Sequence, residues 1–206
     1  GKTTITAMIM HVMKNLGKRF DYMVGAMIEG FDVMVSLSDD TDVMIFEGDE
    51  YLAAPFDRRP KFHLYKPDVA LLSGIDWDHM NVFPSFDMYL DQFRIYLDLV
   101  TENGSIIYCN DDPHVHNLIN EKERTAQLIP YALPDYTIEN HQYIFHLKNK
   151  AYPLQVFGKH NMRNVAGALE VCKQLGINET DFFEAIASFN GAARRLEMIA
   201  EKGSAV

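Results

Sequence analysis

Positive charge is scarce in this chain. Nineteen Lys and Arg stand against twenty-nine Asp and Glu, a net charge of −10. A surface that neutralises a phosphate backbone needs clustered Lys and Arg, so no nucleic-acid partner is expected. The acidic residues are scattered, as on solvated faces. Long apolar runs are lacking too. None approaches the roughly 20 residues that span a bilayer as a helix, so no membrane is expected. Cysteine is limited to Cys109 and Cys172, far apart and in apolar surroundings. They read as small core residues in a reducing compartment, not as a disulfide scaffold. No internal repeat, low-complexity linker or signal-peptide pattern is visible, and the start at Gly1 suggests a trimmed N-terminus. A cytoplasmic location is expected. With 48% of 206 residues hydrophobic, there is material for one large domain, or one domain plus an appendage.

The apolar pattern changes period along the chain. Ile5, Met8, Ile9, Val12, Met13 and Leu16 recur at helical spacing, and Gly17 can stop that helix. Residues 22–26, 43–46, 69–73 and 106–109 are short continuous apolar runs, as in strands buried on both faces. Residues 31–37 alternate and can pair with the first of these. Phe86, Leu90, Phe93, Leu97 and Val100 mark an amphipathic helix, residues 115–119 a short one, and 126–129 a further strand. This alternation predicts an α/β fold, a mostly parallel sheet flanked by helices. The pattern then changes. Residues 138–147 and 151–157 read as two antiparallel strands around Lys148-Asn149-Lys150, giving a small antiparallel sheet within 136–157. Gly158 opens a helix that ends at Gly176, and Thr180 is read as the cap of another. Residues 194–206 read as a connector.

Chemistry gathers at the strand ends. Gly1-Lys2-Thr3-Thr4 runs into the first helix as the second half of a P-loop does, without the earlier glycine and the strand that feeds it. Backbone N–H groups at a helix start, with the helix dipole behind them, suit phosphate. Lys2 would reach the outer phosphates and Thr3 would sit on Mg²⁺; the alternative is a chance Gly-Lys-Thr at a helix start. Glu47 follows one buried strand and His79 the next, so a parallel sheet brings both to the edge that holds Lys2. Glu47 suits Mg²⁺. His79 is either a ligand or a polar core residue. Asp49 and Glu50 are either ligands or solvated loop carboxylates, and Asp76 and Asp78 can fix the tautomer of His79. Arg194 and Arg195 are adjacent, so only one of them faces a phosphate. The Arg58-Arg59 loop either touches a sugar nucleotide or is a solvated turn.

Taken in order, Gly1-Lys2-Thr3-Thr4, Glu47-Gly48-Asp49-Glu50-Tyr51, Asp78-His79-Met80, Gly158-Lys159-His160-Asn161 through Asn164, and Arg194-Arg195-Leu196-Glu197 resemble the motifs of the Mur ligases, the ATP-dependent amide-forming enzymes of peptidoglycan synthesis. The resemblance covers essentially the whole chain. It implies that residues 1–206 are the central ATP-binding domain of a three-domain parent, cut within the P-loop. A UDP-sugar domain would precede it and an amine-substrate domain would follow. The resemblance makes Gly1, Lys2, Thr3 and Thr4 the phosphate residues, and Thr3, Glu47 and His79 the metal residues. It assigns His160, Asn161 and Asn164 to the adenine, and Arg194 or, preferably, Arg195 to the nucleotide at the domain junction. Lys2, His79 and Arg195 are its catalytic candidates, and ATP and Mg²⁺ its cofactors.

The resemblance also implies a mechanism. A substrate carboxylate attacks the γ-phosphate, and the free amine of a peptide or amino acid then displaces phosphate from the acyl-phosphate. Several family members carry a carbamylated lysine where this chain aligns Gln92. The segment from Phe56 to Phe62 is more similar to the branch that recycles murein peptide onto UDP-N-acetylmuramate; the L-alanine-adding branch is second. A folylpolyglutamate-synthase-like ligase and a non-catalytic nucleotide-binding relative are the remaining alternatives. Intact Lys2, Glu47, His79 and Asn161 speak against the latter.

Overall fold

Glycines end the two longest described helices in the same way. The computed structural model describes residues 1–77 and 82–191. Helix α1 (Lys2–Asn15) buries Ile5, Met8, Ile9, Val12 and Met13, the face that the spacing predicts. Helix α4 (Lys159–Gln174) buries Met162, Val165, Leu169 and Cys172. Gly17 and Gly176 follow them at φ 65° and 73°. Lys18 N donates to Met13 O and Ile177 N to Cys172 O, at 2.9 and 3.0 Å. These bonds satisfy carbonyls that a helix otherwise leaves open, and the left-handed turn they need suits a residue without Cβ.

The strands form three sheets. β1 (Asp21–Met23) lies between β2 (Val35–Ser36), antiparallel to it, and β3 (Met44–Phe46), parallel to it. β4 (Val69–Leu72), β5 (Ser105–Cys109) and β6 (Gln127–Tyr131) form a wholly parallel sheet in that order. Helices α2 (Phe86–Asp98) and α3 (Pro113–Asn120) are its crossovers. The expected α/β arrangement is present, but its parallel strands are divided between two sheets, with β3 and β4 as the facing edges.

β5 shows how one strand serves two layers. Ile106 belongs to a core shared with Leu72, Phe93, Leu97, Val115 and Leu118, on the side of α2 and α3. Ile107 and Cys109 belong to the core under α1, α4 and α5 (Glu179–Ile186). Alternation of side chains along a strand produces this division.

The antiparallel sheet is a meander of three strands, not two: β7 (Tyr136–Glu139), β8 (Gln142–Leu147) and β9 (Lys150–Leu154). The alternation of residues 138–147 conceals a turn at Asn140 and His141, both left-handed at φ 49° and 64°. Two such residues make the reverse turn that matches strand twist. A second correction concerns α5. Its cap is Asn178, whose Oδ1 accepts from Asp181 N at 2.9 Å; Thr180 lies inside the helix. No described helix is long and apolar enough to cross a membrane.

Candidate functional site

The first turn of α1 meets two carboxylates from the loop after β3. Thr3 Oγ1 donates to Glu47 Oε1 at 2.5 Å, and Gly25 N donates to Glu47 Oε2 at 3.0 Å. Both oxygens of Glu47 are thereby held at the start of α1. Lys2 Nζ pairs with both oxygens of Glu50. Glu50 is buried, and Tyr89 of α2 donates its hydroxyl to Glu50 Oε1 at 3.4 Å. Of the two readings open for Glu50, the solvated one is therefore wrong. Its partners lie 48 and 39 residues away in the chain, so local sequence does not reveal them. Asp49 folds its own loop instead. It accepts from Tyr51 N at 2.8 Å and pairs with Lys61 at 2.7 Å.

The arginine loop beside this site holds itself. Arg59 pairs with Asp57 at 2.7 Å, which draws the Asp57 carboxyl down to about 2. Arg58 is exposed, and Phe56 is 93% exposed. On α2, Gln92 turns its side-chain amide back to Met88 O at 2.9 Å, while its backbone carbonyl takes His63 Nε2 at 2.8 Å. Burial pushes the His63 pKa down.

A run of contacts leads from α1 along the carboxyl edge to α4. A Cβ built on Gly1 would lie 3.2 Å from Ser73 Oγ, and one on Gly74 would lie 3.2 Å from Asp112 Oδ2. Asp112 caps α3 by accepting from Val115 N at 2.9 Å. Its neighbour Asp111 accepts from Leu133 N at 2.7 Å and faces Arg163 of α4, Nε to Oδ2 3.2 Å. On the same helix, Asn161 donates to Phe157 O at 2.9 Å and accepts from Asn164 at 3.2 Å. Asn164 is buried. His160 is exposed, its ring 2.8 Å from where a Gly158 Cβ would be. Thr4 is half-buried in the first turn of α1.

The structure thus brings Lys2 and Thr3 against Glu47 and Glu50, and strings Asn161 and Asn164 along the same edge. His79, Asp78, Arg194 and Arg195 lie outside the described residues. Among the described residues, no cluster of three or more His, Cys, Asp and Glu is poised for a metal.

Residues 1–172 match the model of the Mur ligase middle domain. The chain belongs to the Mur ligase family. A UDP-N-acetylmuramate–L-alanine ligase from Roseiflexus sp. is 26% identical to it, over 98% of this chain and 47% of that protein. The UDP-N-acetylmuramate–L-alanyl-gamma-D-glutamyl-meso-2,6-diaminoheptandioate ligase of Escherichia coli is 26% identical, over 98% of this chain and 46% of that protein. The crystal structure of the UDP-N-acetylmuramate:L-alanyl-gamma-D-glutamyl-meso-diaminopimelate ligase from Neisseria meningitides superposes with a TM-score of 0.81 at 21% identity. That match covers 94% of this chain and 64% of the other. The chain spans about half the length of the curated relatives it matches. As a Mur ligase middle domain, it presents a helix start, two carboxylates and an asparagine pair along one sheet edge.

Proposed function

We propose that these 206 residues are the ATP-handling domain of a longer ligase. The parent joins a peptide amine to the carboxylate of UDP-N-acetylmuramate in peptidoglycan recycling or synthesis. The observation that carries this reading is the contact of Lys2 and Thr3 with Glu47 and Glu50 at the start of α1. An N-terminal UDP-sugar domain and a C-terminal amine domain belong to the same proposal, and so does a cytoplasmic setting.

The donors present fit Mg-ATP. The Thr3 hydroxyl and the Glu47 carboxylate are hard oxygens already in contact, as Mg²⁺ prefers. When bound, the metal would neutralise charge on the phosphate oxygens, and His79 is assigned as its further ligand. Lys2 disperses negative charge as a phosphoryl group is transferred, a contribution of position and electrostatics. It makes that contact by leaving Glu50 or by sharing itself with it. Asn161, with Asn164 behind it and His160 beside it, is assigned to the adenine. Arg195, or Arg194, is assigned to the nucleotide at the domain junction.

The deciding experiment measures ADP release by the full-length parent given UDP-N-acetylmuramate and Mg-ATP, with either the murein tripeptide or L-alanine. Turnover with the tripeptide alone is expected. Turnover with alanine alone moves the protein to the biosynthetic branch, and silence with both overturns the peptidoglycan reading. Lys2→Met in the active parent lowers turnover by roughly 10²-fold or more. The 206 residues alone bind Mg-ATP weakly and turn over nothing; tight binding in calorimetry would contradict that.

A further inference from the structure

β1 has a neighbour on each side, but β2 has none beyond it among the described residues. The ladder fixes which backbone groups are left over. Val24 N donates to Met34 O at 2.9 Å, and Ser38 N to Asp21 Oδ2 at 3.0 Å. Between them, Ser36 stands opposite Tyr22. Met34, Ser36 and Ser38 thus turn their backbone groups toward β1. That direction alternates along an antiparallel strand, so Val35 and Leu37 turn theirs to the open side.

Edge strands are ordinarily blunted by Lys, by Pro or by an inward charge. Residues 33–37, Val-Met-Val-Ser-Leu, hold none of these. Val33, Met34, Val35 and Leu37 are exposed, Leu37 at 73%, and so is Met27 in the connection from β1. An open edge that is also apolar is where an extended chain adds itself to a sheet.

The charge around this edge selects the occupant. From residue 20 to residue 57 the sequence has no Lys and no Arg. Glu29 and Asp32 precede the apolar strip, Asp39, Asp40 and Asp42 follow it, and all of them are exposed. The cations that reach this region are engaged. Arg19 pairs with Asp40. Lys14 donates to Gly30 O at 2.7 Å and lies 5.0 Å from the centre of the Phe31 ring. A second copy would bring the same carboxylates against these, in a chain of net charge −10, and like charges across a strand pair destabilise it. An apolar strand with Lys or Arg at both ends satisfies the backbone, covers the side chains and neutralises both flanks.

We propose that the outer edge of β2 docks an extended segment of a partner protein. The segment runs antiparallel to residues 33–37, is apolar at alternate positions and is flanked by Lys or Arg. Its backbone bonds to Val35 and Leu37. Its basic ends meet Glu29 and Asp32 on one flank and Asp39, Asp40 and Asp42 on the other. The first sheet then reads segment-β2-β1-β3. This proposal does not depend on the ligase reading.

The test titrates the 206-residue chain at low salt with the peptide Lys-Arg-Val-Thr-Val-Thr-Val-Arg-Lys and follows amide exchange residue by residue. At ten times the dissociation constant, exchange at Val35 and Leu37 slows about tenfold, and the slowing there exceeds that at Met34 and Ser36. A peptide with Glu and Asp in place of the Lys and Arg gives no protection. Salt at 1 M, with a Debye length of about 3 Å, weakens the basic peptide. Two variants mark the edge. Leu37→Lys sets a cation against the peptide's own and weakens binding about tenfold. Val35→Pro removes an amide that faces outward, which edge strands tolerate, and abolishes the protection at Leu37. Equal protection throughout residues 33–37, equal binding of the acidic peptide, or no binding at all overturns the proposal. So does a dimer of the peptide-free chain that Leu37→Lys dissolves, since the occupant would then be a second copy. None of these outcomes bears on ADP release by the full-length parent, so the two readings fail separately.

Discussion

Helices α2, α3 and α5 start under cover, whereas α1 and α4 do not. Ser85, Asp112 and Asn178 each accept a backbone N–H from the first turn. Asp87, and Glu179 with Asp181, add negative charge to α2 and α5. Helices α1 and α4 begin at Gly1 and Gly158, with no side-chain cap and no acid in the first turn. Their first residues are Lys2 and Lys159, charges that oppose the helix dipole. Leaving off a cap costs about 1 kcal/mol. Both helices that forgo it start on the carboxyl edge, near Glu47 and near Asp111; α3, which starts on that edge too, keeps its cap. Uncovered amides remain available to an anion; covered ones do not.

Breaking the uncovered class has the largest effect. Gly158 sits at φ 92°, ψ 141°, a region that side chains avoid. Gly158→Ala destabilises the fold by about 1–3 kcal/mol, read as a lowered urea midpoint; an unchanged midpoint would refute the role of that backbone angle. Breaking the covered class is next. Asp112→Ala removes the 2.9 Å cap of α3 and costs about 1 kcal/mol. The contrast sharpens with Lys159→Glu, which supplies the missing negative charge. It stabilises the ligand-free chain by about 0.3–1 kcal/mol at low salt, and the gain vanishes in 1 M salt, where the Debye length is about 3 Å.

The smallest effect is one of pH. The Glu179 carboxyl lies below its ordinary range, first because Lys148 hydrogen-bonds it. A depressed folded-state pKa contributes stability above the unfolded value and loses it as pH falls through the folded value. Glu179→Gln therefore costs a few tenths of a kcal/mol at pH 7. The thermal midpoints of the two proteins converge as pH drops below the carboxylate range. Curves that stay parallel would show that the pair contributes nothing.

How much could be read from sequence follows the range of the interactions. Helix α1 and its stop at Gly17 were legible because period and left-handed glycine act within a few residues. So was the placing of Thr3 against Glu47, since carboxylates at the ends of buried parallel strands share an edge. Asn178 was missed in favour of Thr180 because both are good caps, and only the position of the preceding Gly176 turn selects between them. The turn at Asn140-His141 was missed because alternation runs on through it. The burial of Glu50 was out of reach, for it depends on Tyr89, from another layer. Likewise, the division of the parallel strands into two sheets depends on which edges find partners, and no local pattern reports that.

Cys109 in β5 and Cys172 in α4 are both fully buried, and burial raises both thiols, Cys172 to about 12. Both are shut off from solvent while the chain is closed, so a thiol reagent reacts only with molecules that have opened. One cysteine lies in the parallel sheet and the other in a covering helix. Their modification rates form two clocks in a single chain, one timing the sheet and one the helix. Equal rates would mean that the two layers open together, and unequal rates would show which leaves first.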